Sequence, residues 1–149
     1  MSIDTVNKIA TMPLLALRGL VMFPHMVLTF DVGRKKSAEA LNAAMASDRT
    51  IFLVTQKDIS VDEPTKKDLY EIGCVAKIRQ VFKISDNVVK VLVEGLYRAE
   101  LVSCFNLDEH IVCSVTECEI AGNGSREIYK EALVRKIRSQ LQKYAEVAP

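Results

Sequence analysis

From Cys74 onward the chain alternates. In "CVAKIRQVFKIS" the even positions carry Ala76, Ile78, Phe82 and Ile84, with Gln80 out of pattern, and the odd positions carry Val75, Lys77, Arg79, Val81 and Lys83. A period of two belongs to a strand with one covered and one wet face. Ser85-Asp86-Asn87 predicts a tight reversal, because Asp and Asn tolerate turn geometry. "VVKVLVEG" then directs Val89, Val91 and Val93 inward, and Glu94-Gly95-Leu96 predicts a second turn. "YRAELVSCF" aligns Tyr97, Ala99, Leu101 and Phe105 on one face, and "HIVCSVTECEI" supplies a last strand. Four successive antiparallel strands with short connections make a meander.

The opening half reads differently. "PLLALRGLVMFPHMVLTF" is apolar almost throughout, and Arg18-Gly19 and Pro24 cut it into a strand at Leu14 to Leu17 and another at Met26 to Val32. Continuous apolarity suits strands covered on both faces. Between them the chain must turn, since Pro24 lacks a donor and holds Phe23 extended. "RKKSAEALNAAMAS" places Ala38, Leu41, Ala44 and Met45 on one helical stripe, with Ser37 as the expected N-cap and an end near Ser47-Asp48. Thr50 to Gln56 predicts a buried strand, and residues 57–73 a long surface connection with one helical turn at Lys66 to Tyr70. The expected fold is mainly β with α: a small, partly closed β-barrel with one helix, followed by the start of a helical region.

Gly122-Asn123-Gly124 marks an expected boundary between a domain over residues 1–119 and a linker plus helix over 120–149. Ser125 opens that helix, Glu131 and Arg135 are spaced for an ion pair, and Val134, Ile137, Leu141 and Tyr144 form its apolar stripe. Little chain remains to cover the stripe, so self-association through Val134, Ile137 and Leu141 is expected. The abrupt end at Ala148-Pro149 reads as a fragment of a longer protein.

Several function classes are disfavoured. A net charge of +1, from 20 basic and 19 acidic residues, is too balanced for a general polyanion binder. Lys77, Arg79, Lys83 and Lys90 make a basic strand face, but no aromatic side chains are interleaved for base stacking. The cysteines at 74, 104, 113 and 118 show no C-x-x-C, and Cys113 and Cys118 have opposite strand parity. Reduced structural thiols are expected, with no metal site. Neither a secretion signal nor a spanning segment of ~20 apolar residues is present, which points to the cytoplasm.

No phosphate loop and no nucleophile elbow occur, so no catalytic residues and no cofactor are expected in these residues. His25, after a proline in a turn, reads as a solvated or packed imidazole. His110 belongs only to the dismissed cluster with Cys113 and Cys118, and the carboxylate pairs Asp62-Glu63 and Glu117-Glu119 read as wet surface.

Four stretches carry a resemblance: "PLLALRGLVMFPHMVLTFDVGRKKSAEAL", "VTQKD", "KDLYEIGCVAKIRQ" and "VKVLVEGLYRAEL". In this order and spacing they resemble the amino-terminal domain of the Lon ATP-dependent proteases, over about Met12 to Glu119. Departures are Ala16 where a second proline is common, His25 where glycine is common, and Asp86-Asn87-Val88 in place of an Asp-Gly turn. The resemblance implies a PUA-like pseudobarrel that captures substrates and supports assembly. It implies a parent homohexamer that degrades misfolded, abnormal and short-lived regulatory proteins. That parent would use ATP and magnesium in an AAA+ module and a serine-lysine dyad in a protease module, both outside this chain.

A sensor of unfolded polypeptide needs exposed, adaptable apolar side chains. Leu20, Val21, Met22, Phe23 and Met26 are the candidates, with Arg34 and Lys35 beside them to steer acidic segments. The competing expectation is that this turn packs under the helix or the long connection. Two rivals to a protease domain are a stand-alone partner-recruiting protein of the same fold and an RNA-binding PUA-like module.

Overall fold

A computed structural model describes residues 8–119 and 127–148 of the chain. Its elements are β1 (Ile9–Leu17), β2 (Val27–Val32), α1 (Lys35–Met45), β3 (Thr50–Thr55), a 3-10 turn (Lys66–Asp68), β4 (Ile72–Lys83), β5 (Val89–Asn106), β6 (Ile111–Glu117) and α2 (Glu127–Val147). The chain divides into two compact units at Cys118 and Glu119. Strands β1 to β6 with α1 belong to the first unit and α2 to the second.

Strand order β2-β5-β4-β3-β1-β6, with a further β5–β6 pairing, closes β5, β4, β3, β1 and β6 into a ring. β2 hangs from β5 outside that ring. Only β1 and β3 run parallel, and β2 and α1 form the crossover between them. The mainly-β expectation with one helix against the sheet holds.

Two apolar clusters explain why β1 from Leu14 to Leu17 and β3 from Ile51 to Val54 are greasy at every position. Leu14 and Ala16, with Phe52 and Val54, join Val75, Ala99, Leu101, Ile111, Cys113 and Val115 in a cluster fed by all five ring strands. The alternate residues Leu15, Leu17, Ile51 and Leu53 face a second cluster with Ala40, Leu41 and Ala44 of α1 and Val32 of β2. Small side chains at Ala40 and Ala44 let α1 lie close on β1 and β3. Each such strand residue removes its whole side chain from water, at roughly 1.5–3 kcal/mol for a Val, Leu, Ile or Phe.

The structure corrects the expected meander in three places. No turn occurs at Glu94-Gly95-Leu96: β5 runs unbroken through it, and Leu96 is an extra residue between the pairs Gly95–Ala76 and Tyr97–Val75. That bulge turns the strand over, so Val91 and Val93 face the helix-side cluster while Ala99 and Leu101 face the ring cluster. A second shift between Leu101 and Ser103 puts Phe105 outward at 56% exposure, against the inward expectation. A third, between Ile78 and Gln80, exposes Phe82 and Ile84. Three strands, not four, therefore make the meander.

Helix α1 begins at Lys35, earlier than expected from Ser37, with Arg34 in the N-cap position and no side-chain cap. The expected start of the last helix at Ser125 lies outside the described residues. Within α2, Arg135 donates to Glu131 at 2.7 Å, the expected i,i+4 pair. Among the described residues no helix is long and apolar enough to cross a membrane.

Candidate functional site

The segment from Leu20 to Met26 is built around Phe23-Pro24-His25-Met26. The Met26 amide donates to the Phe23 carbonyl at 3.2 Å, and His25 has φ +66°. Proline at the second position and a positive φ at the third make this a type II turn, in which glycine is favoured third. His25 takes that conformation anyway, so the departure at this position leaves the turn's geometry intact.

The turn is pinned from two sides. Gly95 donates to the Met26 carbonyl at 2.8 Å, and its own carbonyl accepts from the His25 amide at 3.0 Å. A Cβ on Gly95 would strike the Phe23 carbonyl oxygen, so the close approach requires glycine. From the other side, Thr55 Oγ1 donates to the Leu20 carbonyl at 2.7 Å. The apolar side chains are thus displayed from a fixed backbone.

Position within the turn decides which are displayed. Met22 is 5% exposed and belongs to the helix-side core, so it is not part of an exposed patch. Leu20 and Met26 are half-buried against the same cluster. Val21 and Phe23 stand out at 51% and 47% exposure. The Arg98 guanidinium lies over the Phe23 ring, 5.9 Å from its centroid.

Tyr70 and Ile72, which fall within the expected surface connection, extend the exposed apolar surface. Val21, Thr55, Lys57, Tyr70, Glu71 and Ile72 line an open hollow of about 520 Å³. Ile72 pairs with Glu100 and Cys74 with Arg98, so Ile72 and Arg98 share a face of β4 and β5. Val21, Tyr70 and Ile72 therefore form the apolar rim of the hollow, with Lys57 and Glu71 in its lining, and Phe23 is exposed two residues on from Val21, beneath Arg98. Leu69 is buried while Tyr70, Glu71 and Ile72 are all exposed, so no alternation in the sequence singles out Tyr70 and Ile72.

The Arg34 guanidinium is engaged by acceptors within the fold. Its Nη2 donates to the Ala16 carbonyl and its Nη1 to Gln56 Oε1, both at 2.7 Å. Burial holds its pKa below the usual value, with Arg18 adding to the effect and Asp62 opposing it. Gln56 passes the link on, donating to the Val61 carbonyl at 2.8 Å, and Arg18 donates to Asp62 Oδ1 at 3.0 Å. Together they tie down the connection after β3, which carries Tyr70 to the rim. Lys35 remains exposed.

The basic strand face is matched by local acceptors. Lys77 donates to the Asp48 carbonyl at 2.6 Å, and Arg79 Nε donates to Glu94 at 2.7 Å. Lys83 meets Asp86 at 3.4 Å and Lys90 meets Asp31 at 2.8 Å. All four cysteines are free thiols. On α2, Val134, Ile137 and Leu141 are exposed at the spacing expected from the sequence.

A profile of the family described as the ATP-dependent protease La (LON) substrate-binding domain matches residues 11–149. The chain is 41% identical to the Lon protease of Heliobacterium modesticaldum over 142 residues, 95% of this chain and 17% of that protein. It is 40% identical to the Lon protease of Buchnera aphidicola over 134 residues, 90% of this chain and 17% of that one. The chain thus spans about 17% of the length of these relatives. Among solved structures, the N-terminal domain of Mycobacterium avium complex Lon protease superposes with a TM-score of 0.71 at 20% identity, covering 92% of this chain and 70% of that one. A Lon N-terminal domain protein from Xanthomonas campestris gives 0.67 at 15% identity, covering 94% and 83%. At those identities the likeness is one of fold.

Proposed function

The chain belongs to the Lon substrate-binding domain family, and on that premise we propose that it captures apolar segments of unfolded or damaged polypeptides for an ATP-dependent protease. The observation that carries the proposal is the apolar rim of Val21, Tyr70 and Ile72, left exposed around an open hollow, with Phe23 exposed on the turn beside it. Folded proteins bury their long apolar segments and unfolded ones do not, so such a rim separates the two by the hydrophobic effect. Mixed charges at Lys57, Glu71 and Arg98 favour no one sign of substrate.

In this proposal the domain holds the polypeptide and performs no chemistry. Peptide hydrolysis by a serine-lysine dyad and ATP hydrolysis with magnesium belong to other parts of a longer cytoplasmic protein. That parent assembles as a homohexamer, and the stripe of Val134, Ile137 and Leu141 on α2 supplies part of the contact between copies. Binding of a permanently unfolded protein to this chain, compared with its folded form, tests the substrate role. Equal affinity for the two forms would defeat it. Sedimentation over a range of concentrations, with and without Ile137→Glu, tests the assembly role, and a monomer throughout would defeat that.

A further inference from the structure

We propose that the free edge of β2 takes up a segment of bound polypeptide as an added strand. This deepens the substrate-binding role and rests on it. β2 pairs with β5 on one side, and among the described residues no strand pairs with the other. The Gly95 amide donates to the Met26 carbonyl, and the register continues Val27–Glu94 to Val32–Val89. Antiparallel ladders alternate, so Leu28, Phe30 and Val32 direct their backbone groups to β5. Val27, Thr29 and Asp31 direct theirs away from it, each offering an N–H and a C=O.

Edges that must stay unpaired are usually blunted by proline, lysine, a bulge or an unmatched charge. β2 reads VLTFDV and has neither proline nor lysine. Its one charge, Asp31, is matched by Lys90 at 2.8 Å. Val27 is 61% exposed, and the strand starts one residue after the turn that displays Phe23.

The occupant that fits is an extended peptide backbone. Its donors and acceptors repeat along a strand as those of Val27, Thr29 and Asp31 do, whatever its side chains. A folded protein has already satisfied most of its backbone groups and offers no such partner. The edge thus reads unfoldedness through the backbone, next to a rim that reads it through apolar side chains.

Thr29→Pro removes an outward N–H without costing a bond to β5, and Thr29→Val keeps that N–H while changing the side chain. With reduced, carboxymethylated lactalbumin as the unfolded probe, Thr29→Pro weakens binding by about tenfold. Thr29→Val stays within about twofold of the unsubstituted chain. Amide exchange on the unsubstituted chain gives a second readout that needs no variant: the amides of Val27, Thr29 and Asp31 slow by about tenfold or more when the probe binds. Unchanged exchange at these amides, or full affinity in a folded Thr29→Pro protein, overturns the edge proposal and leaves capture by the rim intact. Slow exchange that depends on protein concentration without probe overturns it in favour of a second copy at the edge. A probe that fails to bind the unsubstituted chain overturns the substrate role itself.

Discussion

Arg34 Nη1 donates to Gln56 Oε1 at 2.7 Å, joining the N-terminus of α1 to the end of β3. Gln56 is the one buried polar side chain among the described residues, and its amide donates onward to the Val61 carbonyl. The pair is therefore a strut between the helix-side core and the connection that carries Tyr70 to the rim.

Removing the strut costs stability. Arg34→Ala leaves Gln56 Oε1 and the Ala16 carbonyl without their donor, and the expected loss is about 2 kcal/mol. Lys35→Ala, at the next and exposed position, changes stability by less than about 0.5 kcal/mol. Urea unfolding of both variants checks this. Equal small effects would return Arg34 to the role of a surface cation.

Met22 and Phe23 are neighbours with opposite fates. Met22→Ala empties a core site, at about 2–5 kcal/mol. Phe23→Ala strips an exposed ring and costs under about 1 kcal/mol, while its effect falls on the binding of unfolded protein. Thermal unfolding and a binding titration on the two variants separate the roles.

These two residues also show where the sequence was legible. The order of strands, the helix and the doubly covered β1 and β3 follow from the apolar pattern, because each residue type reports its own burial. Which of Leu20 to Met26 turn inward depends on where Gly95 and Thr55 hold the turn, and those contacts are distant in sequence. Parity breaks were visible but ambiguous. Gln80 out of pattern and the Glu94-Gly95-Leu96 break both mark bulges, yet a bulge and a turn interrupt alternation alike until the partner strand is known. Tyr70 and Ile72 were hidden because a connection has no period to betray its exposed side.

The turn itself can be relaxed. His25 occupies the left-handed region at φ +66°, which disfavours a side chain. His25→Gly removes that strain but frees the unfolded chain, for a net gain of about 0–1 kcal/mol. Gly95→Ala goes the other way, since its Cβ would meet the Phe23 carbonyl, and costs about 2 kcal/mol or more. Melting temperatures of the two variants should move in opposite directions or, for His25→Gly, stay level.

Alkaline pH weakens the fold through its thiols. Burial, then the neighbouring Cys104, pushes Cys113 up from 9.0 to about 12. An unfolded chain ionises this thiol near 9 and the folded one does not, so the stabilisation is complete below pH 9 and falls away as pH rises toward 12. Burial raises Cys74, Cys104 and Cys118 in the same direction. Cys113→Ala lowers stability at neutral pH by leaving a cavity, and it flattens the decline above pH 9. Urea midpoints from pH 8 to 11 test both effects.

The most direct test of the account is a titration of this chain against reduced, carboxymethylated lactalbumin and against the same protein folded, repeated with Val21→Ser and Phe23→Ser combined. The account predicts that the unfolded form binds and the folded form does not. It also predicts that the double variant, with an unchanged circular dichroism spectrum, loses about tenfold or more in affinity. Undiminished binding by the folded double variant would contradict it.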